Sequence, residues 1–354
     1  MAEIARQFSE QVRQAAAERT PLRIVAGGSK AFYGRAQGAN SIPLDVRSYA
    51  GIVNYEPTEL YVTARAGTLL AELEAALAER GQMLGCETPH FGPTATVGGA
   101  VASGLSGPRR PYAGSLRDFV LGVKIINGRG EILGFGGQVM KNVAGYDVSR
   151  LMAGALGTLG VILEVSLKVL PLAADERTLL QQCSEKDAIE YCNRWAGQPY
   201  PISATAHDGE ALYIRLSGAA SAVAAASAKI GGQFIDNGPA FWRGLREHEL
   251  PFFHEPGPLW RLSIPPATAP LRLPGKTFLD WGGAQRWLRT DLPDAVVFAA
   301  AKAVGGHATR FRGGDRQGQI FQALEPDALK LHQRLKHSLD PQGIFNPGRM
   351  YAEF

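Results

Sequence analysis

Hydrophobic and polar residues alternate along the first half of the chain in a way that predicts short strands separated by loops and helices. Apolar residues recur at helical spacing from Leu69 to Leu77, directly after Thr68, which is well placed to cap that helix. Residues 1–19 and 149–156 also have helical character. The predicted strands of this half cover residues 22–26, 42–45, 60–65, 120–126, 131–135 and 160–170. Between two of them, Asn127-Gly-Arg-Gly130 is typical of a β-hairpin turn.

The pattern changes after Pro171 to short strands that alternate with helices, and all five tryptophans follow this point. We predict strands at 178–182, 204–217, 259–264 and 276–281, with helices at 187–196, 219–230, 241–248 and 327–338. This predicts an α+β fold in three parts. The parts are a first domain at 1–171, a smaller α+β domain at 172–297 laid over it, and a C-terminal segment at 298–354.

Composition narrows the classes of function. The 354 residues are 45% hydrophobic and 20% charged, with a net charge of +4 that is not concentrated in a basic tract. This argues against a nucleic-acid surface. Three cysteines without CxxC spacing provide no disulfide framework, zinc site or iron–sulfur ligation, and suit a reducing cytoplasm. No apolar run is long enough for a membrane span, and the N-terminus lacks the apolar core of a signal peptide.

Three glycine-rich loops carry the functional signal: residues 26–31, 94–104 and 157–162. None has Walker A or Rossmann spacing. The backbone N–H groups of the first loop can form a nest for a pyrophosphate, with a plain turn as the alternative. Val97, Val101 and Leu105 of the second loop can supply an apolar wall for a ring system, with a glycine-rich core crossing as the alternative. Together the loops predict an extended ligand that carries phosphate.

Several short motifs occur in an order that resembles the PCMH-type FAD-binding domain of the vanillyl-alcohol oxidase flavoproteins. The resemblance covers about residues 20–170. It also includes the closing Asp340-Pro-Gln-Gly-Ile-Phe-Asn-Pro-Gly-Arg349, which is similar to the end of the 2-hydroxy-acid dehydrogenase branch. The motifs are loop 26–31, Glu56-Pro57, Ala66-Gly-Thr68, Thr96-Val-Gly-Gly99, Tyr112-Ala-Gly114, Lys141-Asn142 with Gly145-Tyr-Asp147, and Gly157-Thr-Leu-Gly-Val-Ile162.

The resemblance implies a two-subdomain FAD domain, an α+β cap and a C-terminal tail that returns to the flavin domain. It implies that loop 26–31 holds the pyrophosphate of FAD and that Asn346 approaches the flavin. Histidines that tether FAD in some relatives are missing from the first loop, so the cofactor is expected to be non-covalent. The implied cofactor-binding residues are Ala26, Gly27, Gly28, Ser29, Lys30, Ala31, Thr96, Gly98, Gly99, Ser103, Gly104, Gly114, Ser115, Gly160, Val161, Ile162 and Asn346.

The implied catalytic residues are fewer. Longer relatives have a histidine-rich C-terminal motif, of which only His307 is present here, within Gly305-Gly-His-Ala-Thr-Arg310. His307 is therefore the candidate base, with a structural histidine as the alternative. Arg310 is the candidate carboxylate ligand, and Arg109 and Arg110 compete with it. No metal site is expected.

Within the branch, the short middle section and residues 305–309 most resemble the shorter FAD-domain subunit of bacterial glycolate oxidases. This implies oxidation of a small 2-hydroxy acid together with a longer FAD subunit and an iron–sulfur subunit. It also implies a cytoplasmic location, with membrane contact only through partners. A free-standing 2-hydroxy-acid dehydrogenase and a non-catalytic flavin-domain scaffold remain open. A peptidoglycan-precursor reductase is disfavoured, because no catalytic Ser and Glu can be placed.

Overall fold

A computed structural model describes residues 1–38, 40–137 and 146–354, the side chain of Tyr146 excepted. The motif positions Lys141, Asn142 and Gly145 lie outside the described residues. Helices of the first half are α1 (Ala2–Glu18), α2 (Leu70–Ala78), α3 (Val97–Ser103), α4 (Arg110–Ala113), α5 (Leu116–Phe119) and α6 (Tyr146–Leu151). Its strands are β1 (Leu22–Val25), β2 (Ile42–Asp45), β3 (Ile52–Glu56), β4 (Tyr61–Arg65), β5 (Gln82–Met83), β6 (Val120–Ile126), β7 (Ile132–Gly136), β8 (Val161–Lys168) and β9 (Leu170–Pro171).

The first half is built on a five-stranded antiparallel sheet in the order β3-β4-β8-β6-β7. Helices α2 and α3 pack their apolar residues against one side of it, around Val62, Val123 and Val165. A second cluster joins α1 and the parallel pair β1-β2 to Val161 and Leu163 of β8. The sheet is therefore covered by two different layers, which form two subdomains, and the glycine loops lie between these layers.

The C-terminal tail returns to β1, as the resemblance implies. Phe345 pairs in parallel with Leu22, whose N–H donates to the Ile344 carbonyl at 2.7 Å. A buried ion pair between Lys336 and Asp340, at 2.7 Å, holds the turn before this tail. The closing motif is thereby part of the first domain's packing, although it is distant in sequence.

The second half forms one eight-stranded sheet in the order β13-β10-β12-β11-β15-β16-β14-β17. Its strands are β10 (Asp175–Gln182), β11 (Ile202–His207), β12 (Ala211–Gly218), β13 (Gln233–Phe234), β14 (Leu259–Ser263), β15 (Lys276–Asp280), β16 (Gln285–Arg289) and β17 (His307–Arg312). Its helices are α7 (Glu185–Ala196), α8 (Ala220–Ile230), α9 (Gly238–Glu247) and α10 (Asp294–Ala303), and α11 (Pro326–Leu339) follows the sheet.

Some predictions about the second half need correction. Residues 204–217 are not one strand but the hairpin β11-β12, because Asp208-Gly209-Glu210 makes a turn in which Gly209 has φ 109°. Strands β16 and β17 were not predicted, and β17 places residues 307–312 of the predicted C-terminal segment inside the eight-stranded sheet. The helix predicted at 149–156 is observed at Tyr146–Leu151. The domain boundaries at 171 and 297 stay a prediction.

Among the described residues, none of the helices combines the length and apolarity needed to cross a bilayer. Within the same residues, no group of three or more His, Cys, Asp and Glu side chains is arranged to hold a metal ion.

Candidate functional site

The largest cavity described is a cleft of about 540 Å³ between the two layers of the first half. The end of β1, the loop after it, α3, the loop before β8 and the C-terminal tail all contribute to its wall. Its lining residues are Arg23–Ala31, Ala36–Gly38, Ser41, Val46, Ala66, Thr96, Gly98, Gly99, Ala102, Ser103, Leu156, Gly157, Gly160, Ile162, Arg316, Asn346 and Arg349. Separated segments of the chain thus converge on one continuous groove, whose size is that of an ordinary cofactor site.

The loop at residues 26–31 presents backbone donors to this cleft. Ala31 N–H closes the loop on the Gly28 carbonyl at 2.9 Å. Within the described chain, the N–H groups of the residues from Gly27 to Lys30 have no hydrogen-bond acceptor. Gly28 has φ 73° and open space where a Cβ would stand. Successive unpaired N–H groups in a turn form an anion-binding concavity, so this loop fits a diphosphate.

Other positions in the cleft wall are occupied by glycine for a different reason from the one predicted. A Cβ at Gly27 would lie 1.5 Å from the Thr94 carbonyl oxygen, and one at Gly98 would lie 2.6 Å from the Ala66 Cβ. At Gly160 it would approach the Ile126 carbonyl oxygen at 3.0 Å. These positions are glycine because the loops pack against one another. The close approach that the sequence analysis assigned to a ligand is made by protein, and it shapes the wall that a ligand would meet.

The first N–H groups of helix α3 are all hydrogen-bonded within the protein, so the helix offers none of them to an anion. Val97 N–H donates to Thr68 O and Gly98 N–H to Ala66 O, both at 2.9 Å, while Gly99 N–H reaches the Thr96 Oγ1 cap at 3.2 Å. The wall predicted from Val97, Val101 and Leu105 is also wrong, since these side chains are buried away from the cleft. The apolar lining comes from Ile24, Val25, Val46, Leu156 and Ile162 instead.

Four predicted positions lie outside the cleft wall. Gly104 ends α3 with φ 63°, and a Cβ there would lie 2.7 Å from the Cα of Gly154. Gly114 ends α4 with φ 107°, and Ser115 caps α5 in a capping box in which its Oγ donates to Asp118 Oδ2 at 2.7 Å. Val161 is fully buried in the α1 layer. Helix capping and core packing account for all four.

Asn346 lines the cleft, and three of the four hydrogen bonds that its amide can make are used within the protein. Its Oδ1 accepts from Ile24 N–H at 3.0 Å and from Gln37 Nε2 at 2.8 Å, while its Nδ2 donates to Leu156 O at 2.7 Å. The left-handed backbone, with φ 42°, suits asparagine. Asn346 therefore clamps the tail to β1 and to the loop before β8, and its contribution to a cofactor site is to position that wall.

Two arginines at the cleft were missed as site residues. Arg316 Nη2 donates to Ala31 O at 2.8 Å, and Arg349 Nη2 donates to the same oxygen at 3.0 Å. Neither guanidinium has a carboxylate partner within the described residues. Burial, and then the charge of Arg316, lower the pKa of Arg349 to about 10. The only sequence signal was Arg349 in the closing motif, because Arg316 comes from a loop after β17 with no recognisable pattern.

The second region of interest is the inner face of the eight-stranded sheet, defined here as the face that carries Arg215, Asp280 and Arg261 and contacts the first domain. The pairing of Arg261 with Thr309 puts His307, two residues away on β17, on this same face. Arg261 Nη2 donates to Tyr33 Oη at 3.3 Å, just beyond loop 26–31. Desolvation and the charges of Arg261 and Arg110 lower the pKa of His307. Arg261 and Arg110 form a cationic group at the junction of the two halves, beside His307, whose lowered pKa favours the neutral imidazole.

Arg310 does not belong to that group, which corrects the prediction. It alternates to the opposite face of the sheet, is 6% exposed and pairs with Asp294 of α10 at 2.5 Å. Arg109 is also engaged, with Glu87 at 3.3 Å and Glu176 at 3.1 Å. Arg110 has no ion pair within the described chain and lies over the Trp281 ring at 4.4 Å. Of the arginines considered from the sequence, Arg110 is the one left available.

A buried charge network joins the inner face to the first domain. Arg215 Nη2 lies 2.9 Å from the carboxylate of Glu87, and Arg109 N–H donates to that carboxylate at 2.9 Å. Although burial opposes ionisation, Arg215 and Arg109 hold the pKa of Glu87 below its usual value. Asp280 lies close by, and burial raises its pKa to about 7. The network fixes the segment that carries Arg110 against the sheet.

A small polar cavity of about 20 Å³ lies between residues 105–108 and the inner face. Arg261, Asp280, His248 and Trp287 contribute to its lining. His248 Nδ1 and Trp287 Nε1 are buried and find no hydrogen-bond partner among the described residues. The volume suits one water molecule rather than an organic acid.

The fold and the cleft are those of an FAD-linked oxidoreductase. Residues 2–136 match the family model described as FAD binding domain, and residues 312–350 match that of FAD linked oxidases, C-terminal domain. The chain is 52% identical to glycolate oxidase subunit GlcE of Escherichia coli (strain K12), over 97% of this chain and 96% of that protein. It therefore belongs to the family of this FAD-domain glycolate oxidase subunit, whose cofactor is FAD.

More distant similarities agree with this assignment. Glycolate oxidase subunit GlcD of Bacillus subtilis (strain 168) is 28% identical over 48% of this chain and 36% of its own length. D-lactate dehydrogenase of Anaerostipes hadrus is 36% identical over 34% of this chain and 25% of its own. A solved structure of alkyldihydroxyacetonephosphate synthase has a TM-score of 0.67 at 13% identity, covering 96% of this chain and 74% of that one. The last similarity shows the fold alone.

Proposed function

We propose that this chain is the FAD-binding subunit of a glycolate oxidase complex, in which glycolate is oxidised to glyoxylate. The observation that carries the proposal is the whole-length similarity to GlcE, together with a cleft whose loop 26–31 keeps its N–H donors unpaired. FAD supplies the redox chemistry, since it accepts the hydride that leaves the carbon bearing the hydroxyl group. A longer FAD subunit and an iron–sulfur subunit are its proposed partners, on the cytoplasmic side of the inner membrane.

Loop 26–31 is proposed to hold the diphosphate, with Arg316 and Arg349 at its side. The remaining residues of the cleft wall would hold the ribityl chain and the adenosine half. The loop itself contains neither histidine nor cysteine, and His90 Nε2 is bonded to Glu74 at 3.0 Å. We therefore propose non-covalent FAD, which acid precipitation of the protein should release into the supernatant. A yellow pellet and a colourless supernatant would contradict this.

The direct test of cofactor binding is a titration of the purified chain with FAD, in which flavin fluorescence is measured after each addition. Binding at micromolar or tighter affinity is expected. A chain that stays colourless after reconstitution, while folded by circular dichroism, would refute the proposal. Glycolate-dependent dye reduction, measured with and without the two partner subunits, then decides whether the chain works alone.

The cationic group of the inner face is proposed to receive the carboxylate of glycolate. Arg261 is its best placed member, because it lies next to Tyr33 and has no ion pair within the described residues. Arg261→Met should lower kcat/KM of the assembled complex by about tenfold to hundredfold, since a hydrogen bond to a charged group contributes about 1.5–3 kcal/mol. Arg272→Met, at an exposed arginine, is the control.

One observation favours a second candidate, a subunit that holds FAD without a substrate site of its own. The cavity beside Arg261 has room for about one water, and aromatic rings of Tyr33, Phe91 and Phe311 fill the space around it. In that case Arg261→Met would leave the turnover of the complex unchanged. The same variant thus separates the two candidates.

A further inference from the structure

Lys30 differs from the other cations of the cleft, because it belongs to the loop whose N–H donors are unpaired. Its Nζ donates to His90 O at 3.1 Å and lies 3.5 Å from Ser29 Oγ. No carboxylate lies within ion-pair distance of it in the described chain. The ammonium is also 5.8 Å from the centre of the Phe91 ring. Lys30 is thus a half-buried amine on the loop that lines the cleft, with weak partners of its own.

The surroundings of Lys30 do not supply the missing negative charge. Glu247 of α9 is the nearest acid by its electrostatic effect, but its carboxylate accepts from His90 N–H, Phe91 N–H and Arg246 Nε. Glu74 of α2 is bonded to the His90 ring.

The remaining charges near the loop are positive. Arg312 of β17 lies 4.8 Å from the Phe91 ring centre, on the ring that Lys30 also faces. Arg316 and Arg349 both donate to Ala31 O. A protonated Lys30 is therefore opposed by burial, and Glu247 compensates only in part.

We propose that Lys30 is a proton-linked ligand of the FAD diphosphate: the amine takes up a proton as the cofactor binds, so that FAD affinity is set by pH at this side chain. The inference rests on the proposed binding of FAD in the cleft. It adds that one side chain, rather than the backbone nest, makes the binding depend on pH.

The direction of the effect follows from linkage. Burial lowers the pKa of Lys30 to about 8 in the protein without ligand. A diphosphate beside it favours the charged form and raises this pKa. The protonated protein therefore binds FAD more tightly. Affinity should be constant below about pH 7 and should fall about tenfold between pH 7 and pH 9, as the free amine loses its proton.

The test uses the full-length chain freed of flavin and titrated with FAD at constant ionic strength from pH 6.5 to pH 9.5. Lys30→Met should bind more weakly at pH 7 and show little change up to pH 9, because its side chain cannot be charged. Lys30→Arg should keep strong binding at both pH values, because arginine stays protonated. Calorimetry at pH 8 in two buffers of different ionisation enthalpy should show proton uptake by the wild type and none by Lys30→Met.

Three outcomes are decisive. Equal pH dependence of FAD affinity in wild type and Lys30→Met overturns the proposal, and so does the absence of proton uptake by the wild type. Failure of wild type and both variants to bind FAD at any pH would instead refute cofactor binding itself. Thermal unfolding of the flavin-free variants identifies one that has not folded. If Lys30→Met does not fold, Lys30→Arg decides, since a pH dependence like that of the wild type would then exclude Lys30.

Discussion

The cofactor cleft and the inner face of the sheet are both lined by polar groups, but they obtain their chemistry in opposite ways. The cleft depends on main chain, with N–H donors at residues 27–30 and glycines that let neighbouring loops approach. The inner face depends on charged side chains, such as Arg215 and Glu87, whose partners come from the other half of the chain. Backbone sites tolerate few changes of shape, whereas side-chain sites tolerate few changes of charge.

The largest loss of folding stability is expected when one member of the buried ion pairs of the inner face is removed. Glu87→Ala removes the close partner of buried Arg215 and leaves it only Glu176, 3.9 Å away; removing one member of a buried pair costs about 3–5 kcal/mol. Urea unfolding at pH 7 measures this loss. Lys276→Met, which breaks an exposed pair with Glu255, should change the free energy of unfolding by less than about 1 kcal/mol. Similar losses for both variants would mean that the network contributes nothing beyond a surface pair.

A smaller loss is expected where the shape of the cleft is changed without a change of charge. Gly27→Ala forces the first loop away from the Thr94 carbonyl, and overpacking of this kind costs about 1–3 kcal/mol. FAD affinity should fall with it, because the same loop carries the N–H donors. Unfolding and FAD titration measure the two effects.

Gly134→Ala is the matched control, since a Cβ at Gly134 meets nothing within 4 Å. It should leave both quantities unchanged. Normal FAD affinity in Gly27→Ala would show that the geometry of this loop does not define the cofactor site.

The smallest effect concerns Asp280, whose pKa of about 7 lies above its ordinary value of 3.8. The folded protein holds this proton where the unfolded chain releases it, so stability decreases as the pH rises from about 4 to about 7. Asp280→Asn removes the titration, while its amide can still meet Trp281 N–H and a reoriented Gln285 side chain. Relative to wild type, the variant should gain about 1.3 kcal/mol of stability between pH 5 and pH 6, where the two pKa values lie on either side of the pH. Parallel stability curves for the two proteins would contradict a raised pKa.

Much of the fold was predictable because local patterns agreed with it. The strands at 22–25 and 61–65, the helix at 70–78 and the β6-β7 hairpin follow directly from periodicity and turn residues. The sequence pattern predicts one strand in place of the hairpin β11-β12, because the turn Asp208-Gly209-Glu210 is short and both strands are mainly apolar. Strands β16 and β17 were not predicted, since buried arginines interrupt their apolar residues and the pairing partners are distant.

The candidate site, like the fold, was predictable from the sequence only in part. Loop 26–31 and most glycines of the cleft were identified, because a position without a side chain is visible in a sequence. Arg310 and Arg261 were not distinguished, because the face of β14 or β17 on which a side chain lies depends on strand register. Gly114 and Ser115 were assigned to the cofactor, although Gly114 ends α4 and Ser115 caps α5.

By itself, the sequence predicted an extended, phosphate-bearing cofactor held by glycine-rich loops, since glycine spacing and the closing motif are local properties of the chain. Only the tertiary structure decided which atoms are available to it. The amide of Asn346 makes three contacts within the protein, Arg310 is paired with Asp294, and Lys30 has no carboxylate within ion-pair distance among the described residues. Pairing and burial depend on residues hundreds of positions apart, and a linear pattern contains no record of them.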